Sequence, residues 1–193
     1  MIEITSSTEL PSNREPLTLI TSDNLKLVAE LATPFQNKAK AVLLTLHPLP
    51  TGGGFMDSHI LRKAANRLPA LADLSVLRFN TRGTTSPQGT SEGSFGEGIA
   101  EKRDLEAALE FLRSRGLGPI WLVGWSFGTE LAIKYGFDKD IAGAILLSPP
   151  LHRSGEQDLV KWIGSGKKLI ALIPEHDEYL APAAALERFA VVH

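Results

Sequence analysis

The most informative short pattern in the sequence is residues 124–128, Gly-Trp-Ser-Phe-Gly, in which a glycine stands two residues before and two residues after a serine. The apolar run 120–123 precedes the pattern, and a helix-like segment follows from Phe127. On a sharp turn between a strand and a helix there is little room beside the serine backbone, which is why both flanking positions are glycine. The helix N-terminus also favours negative charge there. The pattern therefore predicts that Ser126 is a nucleophile for acyl transfer.

The elements that position this serine are predicted to be apolar strands that alternate with helices. We predict strands at 17–20, 25–31, 41–46, 75–79, 120–123, 141–147 and 168–173. We predict one helix that begins after Asp57 or Ser58 and is limited by Pro69, and further helices at 99–115, 127–135 and 181–190. The first two strands are joined by a turn signal at 22–24 and form a hairpin. Residues 41–46 are a nearly continuous apolar run, which suits a strand buried on both faces of a parallel sheet. The later apolar strands alternate with helices in βαβ order, which is typical of a mostly parallel sheet in an α/β fold.

Two longer segments lie outside these elements. Residues 80–98 form a polar loop rich in Gly, Ser and Thr, and loops of this length are often functional. Residues 149–167 form an insertion between two strands, where Leu159, Trp162 and Ile163 are suited to a small cap. Since no repeat or domain boundary is visible, we predict that residues 1–193 form one domain.

Composition excludes several classes of function. A formal net charge of -2 gives no reason to expect binding to nucleic acid or to an anionic membrane. The absence of cysteine excludes a disulfide framework, a thiolate metal site and a cysteine nucleophile. No stretch approaches the roughly 18 apolar residues of a membrane span, and the N-terminus lacks the pattern of a secretory signal. We expect a cytoplasmic protein without a cofactor or a metal.

Four segments make the chain resemble the α/β-hydrolase superfamily, and more narrowly its small, minimally capped members with a His-Pro loop after the third strand. These segments are residues 47–54, 78–83, 124–128 and 174–178, and they occur in the family's order. The resemblance extends from about residue 17 to about residue 190. It implies three layers, with a mostly parallel central sheet, an N-terminal antiparallel hairpin and helices on both faces.

The resemblance also implies how the oxyanion of the reaction is stabilised. A tetrahedral oxyanion needs preorganised donors, each of which contributes about 3 kcal/mol in the transition state. The family takes one donor from the residue after the nucleophile, here the N–H of Phe127. The other comes from the loop after the third strand and corresponds to Leu49, with Gly52 or Gly53 as alternatives. By the same resemblance, His47 is expected to shape this loop rather than to catalyse.

The acid and the base complete the implied triad. The acid corresponds to Asp177, with the neighbouring Glu175 and Glu178 as possible substitutes, and it would orient a histidine. In the family's chain order this histidine follows the acid, and in the sequence only His193, the last residue, does so. The family fits a further strand before its histidine, for which 190–193 is too short. Two alternatives stay open: His193 is the base, or the base lies in a terminal segment missing from this sequence.

The remaining histidines and Arg82 have simpler interpretations. His59 lies on a predicted helix, His176 adjoins the implied acid, and His152 lies in the insertion, where it is placed to contact a substrate. No histidine and carboxylate cluster has the spacing of metal ligands. In the resembled family Arg82 belongs to a turn, so we expect it to hold loop carbonyl groups.

These assignments predict a serine hydrolase that acts on a small-molecule carboxylic ester or acyl compound through an acyl-enzyme on Ser126. One alternative is an acyltransferase or thioesterase with the same nucleophile. Another is a non-catalytic binding or interaction protein, because a fold alone does not determine function. The sequence is compatible with a homo-oligomer and indicates no acyl-chain preference.

Overall fold

A computed structural model describes residues 3–192 of the chain. Its strands are β1 (Ser12–Ile20), β2 (Lys26–Pro34), β3 (Ala41–Leu46), β4 (Leu74–Phe79), β5 (Thr85–Ser86), β6 (Gly89–Thr90), β7 (Ile120–Trp125), β8 (Ile141–Leu147) and β9 (Lys168–Leu172). Seven of them form one sheet in the order β1-β2-β4-β3-β7-β8-β9, and β5 and β6 pair separately. The pairs β1–β2 and β2–β4 are antiparallel and the other pairs of the large sheet are parallel. The predicted N-terminal hairpin and mostly parallel sheet are confirmed.

Helices cover both faces of the sheet. They are α1 (His59–Ala72), α2 (Lys102–Ser114), α3 (Phe127–Tyr135), α4 (Glu156–Leu159) and α5 (Pro182–Phe189), with short 3-10 helices at Pro50–Gly52, Val160–Trp162 and Ala190–Val192. The apolar core beside α1 is separate from the larger core that contains residues of the other four α-helices. The three-layer α/β prediction is confirmed. No helix within residues 3–192 is both long enough and apolar enough to cross a membrane.

The two cores explain the continuous apolar runs in the sequence. In β3, Leu44 and Leu46 point to the larger core, whereas Leu43 points to the core beside α1. Successive side chains of a strand face opposite sides of its sheet, so a strand covered on both faces has no solvent-facing positions. The one polar side chain of β3, Thr45, is buried, and its hydroxyl donates to the carbonyl of Leu77 at 3.2 Å. Strand β3 is central, with β4 on one side and β7 on the other.

Three loops begin at one edge of the sheet because the parallel strands end in register. Trp125 at the end of β7 pairs with Leu147 of β8, which pairs with Leu172 of β9. Beyond the strands, the N–H of Ser126 donates to the carbonyl of Leu147 at 2.8 Å, and the N–H of Ser148 donates to the carbonyl of Leu172 at 2.9 Å. The nucleophile candidate and the segments after β8 and β9 therefore start from the same edge.

Helix α1 does not end at Pro69, contrary to the prediction. Pro69 lies inside the helix, which continues to Ala72. A proline in a helix has no N–H to donate to the carbonyl four residues earlier, here that of Ala65. The Arg14 guanidinium donates to this carbonyl at 3.2 Å and so replaces the missing partner.

The segment 80–98 is also more ordered than predicted, since it contains the β5–β6 hairpin. Its Arg82 binds carboxylates rather than the loop carbonyls that we expected. The guanidinium donates to Asp104 at 2.9 and 2.7 Å and to Asp23 at 3.0 and 3.2 Å, while the backbone N–H of Arg82 donates to Asp104 at 2.8 Å. The pKa of Asp23 is lowered, mainly by its hydrogen bond from Arg82. This network ties the segment to helix α2 and to the β1–β2 turn.

We predict that Asp104→Ala lowers the free energy of unfolding by about 3–5 kcal/mol, because it leaves the buried Arg82 without its main partner. The Asp104 side chain is 0% exposed. The matched control is Glu106→Ala on the same helix, whose carboxylate is 53% exposed and makes only a surface pair with Lys102. Urea unfolding should show a change below about 1 kcal/mol for this control. Equal losses in the two variants would contradict the prediction.

Candidate active site

Ser126 occupies a strained turn between β7 and α3. Its backbone has φ 51° and ψ −117°, a conformation that residues other than glycine rarely adopt. The N–H of Ser126 donates to Leu147, and its carbonyl accepts hydrogen bonds from Thr129, at 2.9 Å from the N–H and at 2.6 Å from the hydroxyl. These bonds hold the strained conformation, which is typical of functional positions.

The two glycines of the 124–128 pattern are required by close backbone contacts. A Cβ atom on Gly128 would lie 2.1 Å from the carbonyl oxygen of Leu46, at the end of β3. A Cβ atom on Gly124 would lie 2.6 Å from the carbonyl carbon and oxygen of Gly128. The steric reason inferred from the sequence therefore holds in the structure. The same contacts press the start of α3 against the start of the loop that follows β3.

Ser126 borders a cavity of about 250 Å³ at this edge of the sheet. The cavity is lined by Pro48, Leu49, Gly52, Ser126, Phe127, Glu130, Pro150, His152, Arg153 and Tyr179. The structure thus brings the predicted nucleophile together with both predicted oxyanion donors. A cavity of this volume is at the small end of the range for ligand sites.

The hydrogen bonds of the backbone N–H groups distinguish Leu49 from Gly52 and Gly53, the alternative oxyanion donors. The N–H of Gly52 donates to the carbonyl of Leu49 at 3.1 Å, and that of Gly53 donates to Pro50 at 3.0 Å. Within residues 3–192, the N–H groups of Leu49 and Phe127 have no such acceptor. Phe127 is the first residue of α3, where an N–H has no partner inside its own helix. This favours Leu49 and Phe127 as the pair that would receive an oxyanion.

His47 is the first residue of the loop after β3, which also carries Leu49. Its side chain is buried, Nδ1 lies 2.6 Å from the carbonyl oxygen of Pro48, and Nε2 lies 3.0 Å from both the N–H nitrogen and the hydroxyl of Thr81. Burial lowers the pKa of His47 to about 4, which outweighs the opposite effect of the Pro48 carbonyl. His47 is therefore neutral at physiological pH and is engaged through both ring nitrogens.

This low pKa predicts an acid-sensitive stability. The unfolded chain takes up a proton at His47 near its ordinary pKa of 6.5, whereas the folded protein does so only near 4. The contribution of His47 is therefore complete above pH 6.5 and is lost as the pH falls towards 4, by about 3 kcal/mol in total. Urea unfolding at several pH values should show this loss in the wild type and not in His47→Asn. The same slope in both proteins would contradict the assignment.

Asp177 lies in the loop after β9 and shapes that loop. One carboxylate oxygen accepts the N–H of Tyr179 at 2.9 Å and that of Leu180 at 3.0 Å. Asp177 is half-buried, whereas its neighbours Glu175 and Glu178 are exposed. Tyr179 reaches the cavity, so the loop borders the site. No histidine within residues 3–192 makes a hydrogen bond to Asp177.

The predicted base, His193, lies outside the described residues. Of the other histidines, His152 borders the cavity, where its ring packs edge to face against Tyr179 with the ring centres 5.7 Å apart. His59 packs in the same manner against Trp125 at 5.0 Å. His176 is exposed. Among these, only His152 shares the cavity of Ser126.

Sequence reasoning missed Glu130 and Arg153 in the wall of the cavity. The buried Glu130 accepts the backbone N–H of Arg153 and lies 3.4 Å from its guanidinium, which also stacks over the Phe127 ring at 5.5 Å. The guanidinium reaches Glu97 at 3.4 Å on its other side. Because every residue from 127 to 133 is buried, helix α3 has no polar face that would have singled out Glu130. Within residues 3–192, no three His, Asp or Glu side chains are grouped to hold a metal ion.

Comparison with known proteins identifies the family. Residues 42–191 match the alpha/beta hydrolase family, and the chain belongs to that family. An uncharacterized protein of Rickettsia prowazekii is 30% identical over 122 residues, which are 61% of this chain and 48% of that protein. The chain thus spans about half the length of this curated relative.

Solved structures show the same fold. A lid-less α/β serine hydrolase from Xanthomonas campestris has a TM-score of 0.72 and 28% identity, over 94% of this chain and 80% of the other. An α/β serine hydrolase homologue from Coxiella burnetii has a TM-score of 0.77 and 23% identity, over 96% and 85%. The Pyrococcus furiosus esterase Pf2001 has a TM-score of 0.74 and 20% identity, over 93% and 78%. The predicted α/β-hydrolase fold is confirmed.

Proposed function

We propose that the protein is a serine hydrolase that cleaves small carboxylic esters through an acyl-enzyme on Ser126. The observation that carries the proposal is the strained turn at Ser126, which borders a cavity that Leu49 and Phe127 also line. The similarity to a serine hydrolase from Xanthomonas campestris and to an esterase from Pyrococcus furiosus supports this class of reaction.

In the proposed reaction, Ser126 Oγ attacks the carbonyl carbon of the ester while a histidine accepts the hydroxyl proton. The negative charge that forms on the carbonyl oxygen accepts hydrogen bonds from Leu49 and Phe127. The alcohol then leaves with the proton from the histidine. A water molecule attacks the acyl-enzyme, gives one proton to the same histidine and releases the carboxylic acid, and Ser126 recovers its proton. We assign His193 as this base and Asp177 as the carboxylate that orients it.

The proposed substrates are esters with short acyl or alcohol groups, because the cavity measures only about 250 Å³. Of its wall, Pro48, Leu49, Phe127 and Pro150 are apolar, and Glu130 and Arg153 are paired with each other. Such a wall favours a compact uncharged substituent next to the scissile carbonyl. An ester is preferred over an amide because the amine is the poorer leaving group.

Labelling with a fluorophosphonate tests the nucleophile, and a panel of p-nitrophenyl esters of increasing chain length tests the substrate class. We expect covalent label on the peptide that contains Ser126, none in Ser126→Ala, and the fastest turnover with the shortest esters. A folded wild-type protein without label would contradict the proposal. Turnover that rises steadily with acyl length would contradict the short-ester assignment alone.

A second candidate is a binding protein that keeps the fold without catalysis. It is favoured by one observation: the carboxylate of Asp177 serves the backbone of its own loop and binds no histidine within residues 3–192. This candidate predicts no label on Ser126 although the protein is folded. An acyltransferase or thioesterase would be labelled like an esterase and is distinguished by analysing the products.

A further inference from the structure

The peptide group between Pro48 and Leu49 has two ends that face different surroundings. Its carbonyl oxygen lies 2.6 Å from Nδ1 of His47, and its N–H belongs to Leu49, which borders the cavity with Ser126. Because a peptide group is planar, the direction of its carbonyl fixes the direction of its N–H. The contact with His47 therefore controls where the N–H of Leu49 points.

The protonation of the His47 ring follows from its other partner. The backbone N–H of Thr81 can only donate, so Nε2 of His47, 3.0 Å away, must carry a lone pair. The single ring proton of neutral His47 is then on Nδ1 and is donated to the Pro48 carbonyl. The Thr81 hydroxyl also lies 3.0 Å from Nε2 and 3.2 Å from the hydroxyl of Thr84. A chain of hydrogen bonds thus runs from the segment after β4 to the Pro48–Leu49 peptide.

The surroundings of this peptide leave it little freedom. A Cβ atom on Gly54 would lie 2.2 Å from the carbonyl oxygen of Pro48, so the loop folds back directly onto it. The N–H groups of Gly52 and Gly54 both donate to the carbonyl of Leu49, at 3.1 and 2.9 Å. The carbonyls of Pro48, Leu49 and Pro50 are thus engaged inside the loop, whereas within residues 3–192 the N–H of Leu49 has no such acceptor and can serve a ligand.

We propose that His47 is a positioning residue, which through its Nδ1–H on the Pro48 carbonyl aims and polarises the N–H of Leu49 towards the oxyanion formed at Ser126. The inference rests on the proposed esterase function. Hydrogen bonds in a chain polarise one another, so a carbonyl that accepts a short bond makes the N–H of the same peptide a stronger donor. His47 touches neither the substrate nor the reacting atoms and acts only through this peptide.

Two amide substitutions separate this role from simple support of the loop. The side-chain nitrogen of His47→Asn can occupy the place of Nδ1 and donate to Pro48, but it does not reach Thr81. The amide of His47→Gln reaches the place of Nε2 and contacts Thr81, but it leaves the Pro48 carbonyl without its donor. We expect kcat for a short p-nitrophenyl ester to fall by less than about 10-fold in His47→Asn and by about 100-fold in His47→Gln, with KM nearly unchanged in both.

Three other outcomes would overturn the inference: a larger loss of kcat in His47→Asn than in His47→Gln, equal losses, or a change confined to KM. The NMR chemical shift of the Leu49 amide proton supplies a second measurement. It needs no turnover, and it can be made on a variant of reduced stability. We expect this proton to move upfield in His47→Gln and to stay near the wild-type position in His47→Asn. Fluorophosphonate labelling of the wild type separates the two proposals. An unlabelled wild type defeats the esterase proposal, whereas a labelled wild type with an unmoved Leu49 resonance defeats only the role of His47.

Discussion

Replacing Ser126 by glycine is expected to abolish ester hydrolysis and to make the protein more stable than the corresponding alanine variant. Without the hydroxyl, no acyl-enzyme forms, and we expect kcat to fall by about 10⁴-fold or more in both Ser126→Ala and Ser126→Gly. The stability of the two variants differs for a separate reason, which lies in the backbone. At φ 51° and ψ −117° a Cβ atom is crowded against its own peptide groups.

Alanine retains this crowding, whereas glycine removes it. A strained backbone position costs about 1–3 kcal/mol, which glycine would recover. Part of this gain in stability is lost because glycine makes the unfolded chain more flexible. We therefore expect the free energy of unfolding of Ser126→Gly to exceed that of Ser126→Ala by about 1 kcal/mol. Urea unfolding of both variants and the wild type measures the difference, and a p-nitrophenyl acetate assay measures the activity.

The matched control for this pair is Asn24→Gly. Asn24 also has a positive φ, 62°, but it lies in the turn between β1 and β2, away from the lining of the cavity. We expect it to leave hydrolysis unchanged and to alter stability only slightly, because asparagine tolerates this conformation better than other residues. Hydrolysis that survives in Ser126→Ala would show that the nucleophile lies elsewhere. Equal stabilities of the glycine and alanine variants would show that the turn at Ser126 is not strained.

The sequence was sufficient to predict the features that depend on local pattern. The apolar runs of β3, β7 and β8 are nearly continuous because both faces of those strands are covered, and this pattern predicted the parallel sheet. The glycines at 124 and 128 predicted the tight turn because no other residue fits there. In each case the physical cause lies within a few residues of the signal.

Features that depend on partners distant in the sequence could not be predicted in the same way. Helix α1 continues through Pro69 because Arg14, on the first strand, supplies the donor that the proline lacks. Arg82 binds Asp23 and Asp104 because the fold brings three separate segments together. No local signal in the sequence identified these partners.

The residues of the site fall into the same two groups, those with a local signal in the sequence and those without one. Ser126, Phe127 and Leu49 follow from a motif and from a loop that resembles the family's, and the structure places them in one cavity. Arg153 and Tyr179 enter the wall from the segments after β8 and β9, and neither carries a motif of its own. The pairing of Asp177 with His193 remains a prediction, because an acid and a base from separate loops are related only through the fold.

Gly128→Ala is expected to destabilise the protein by at least about 3 kcal/mol, although alanine is the better helix former. In an exposed helix the change would stabilise by about 1 kcal/mol. Here the new methyl group would lie 2.1 Å from the carbonyl oxygen and 2.5 Å from the carbonyl carbon of Leu46. Backbone atoms of a central strand cannot move away without breaking the pairing of β3 with β4 and β7, so the steric cost outweighs the helix propensity.

The control for this prediction is Gly52→Ala in the neighbouring loop, where the nearest atoms to a new Cβ lie 3.9 Å away. We expect its urea midpoint to stay close to that of the wild type, whereas the midpoint of Gly128→Ala falls. Any Gly128→Ala protein that still folds must move α3 away from Leu46 and His47, and Phe127 then moves away from Leu49. Fluorophosphonate labelling of that folded fraction should therefore be slow. If Gly128→Ala unfolds at the same urea concentration as Gly52→Ala and is labelled at the wild-type rate, the close contact between α3 and β3 is not what builds the site.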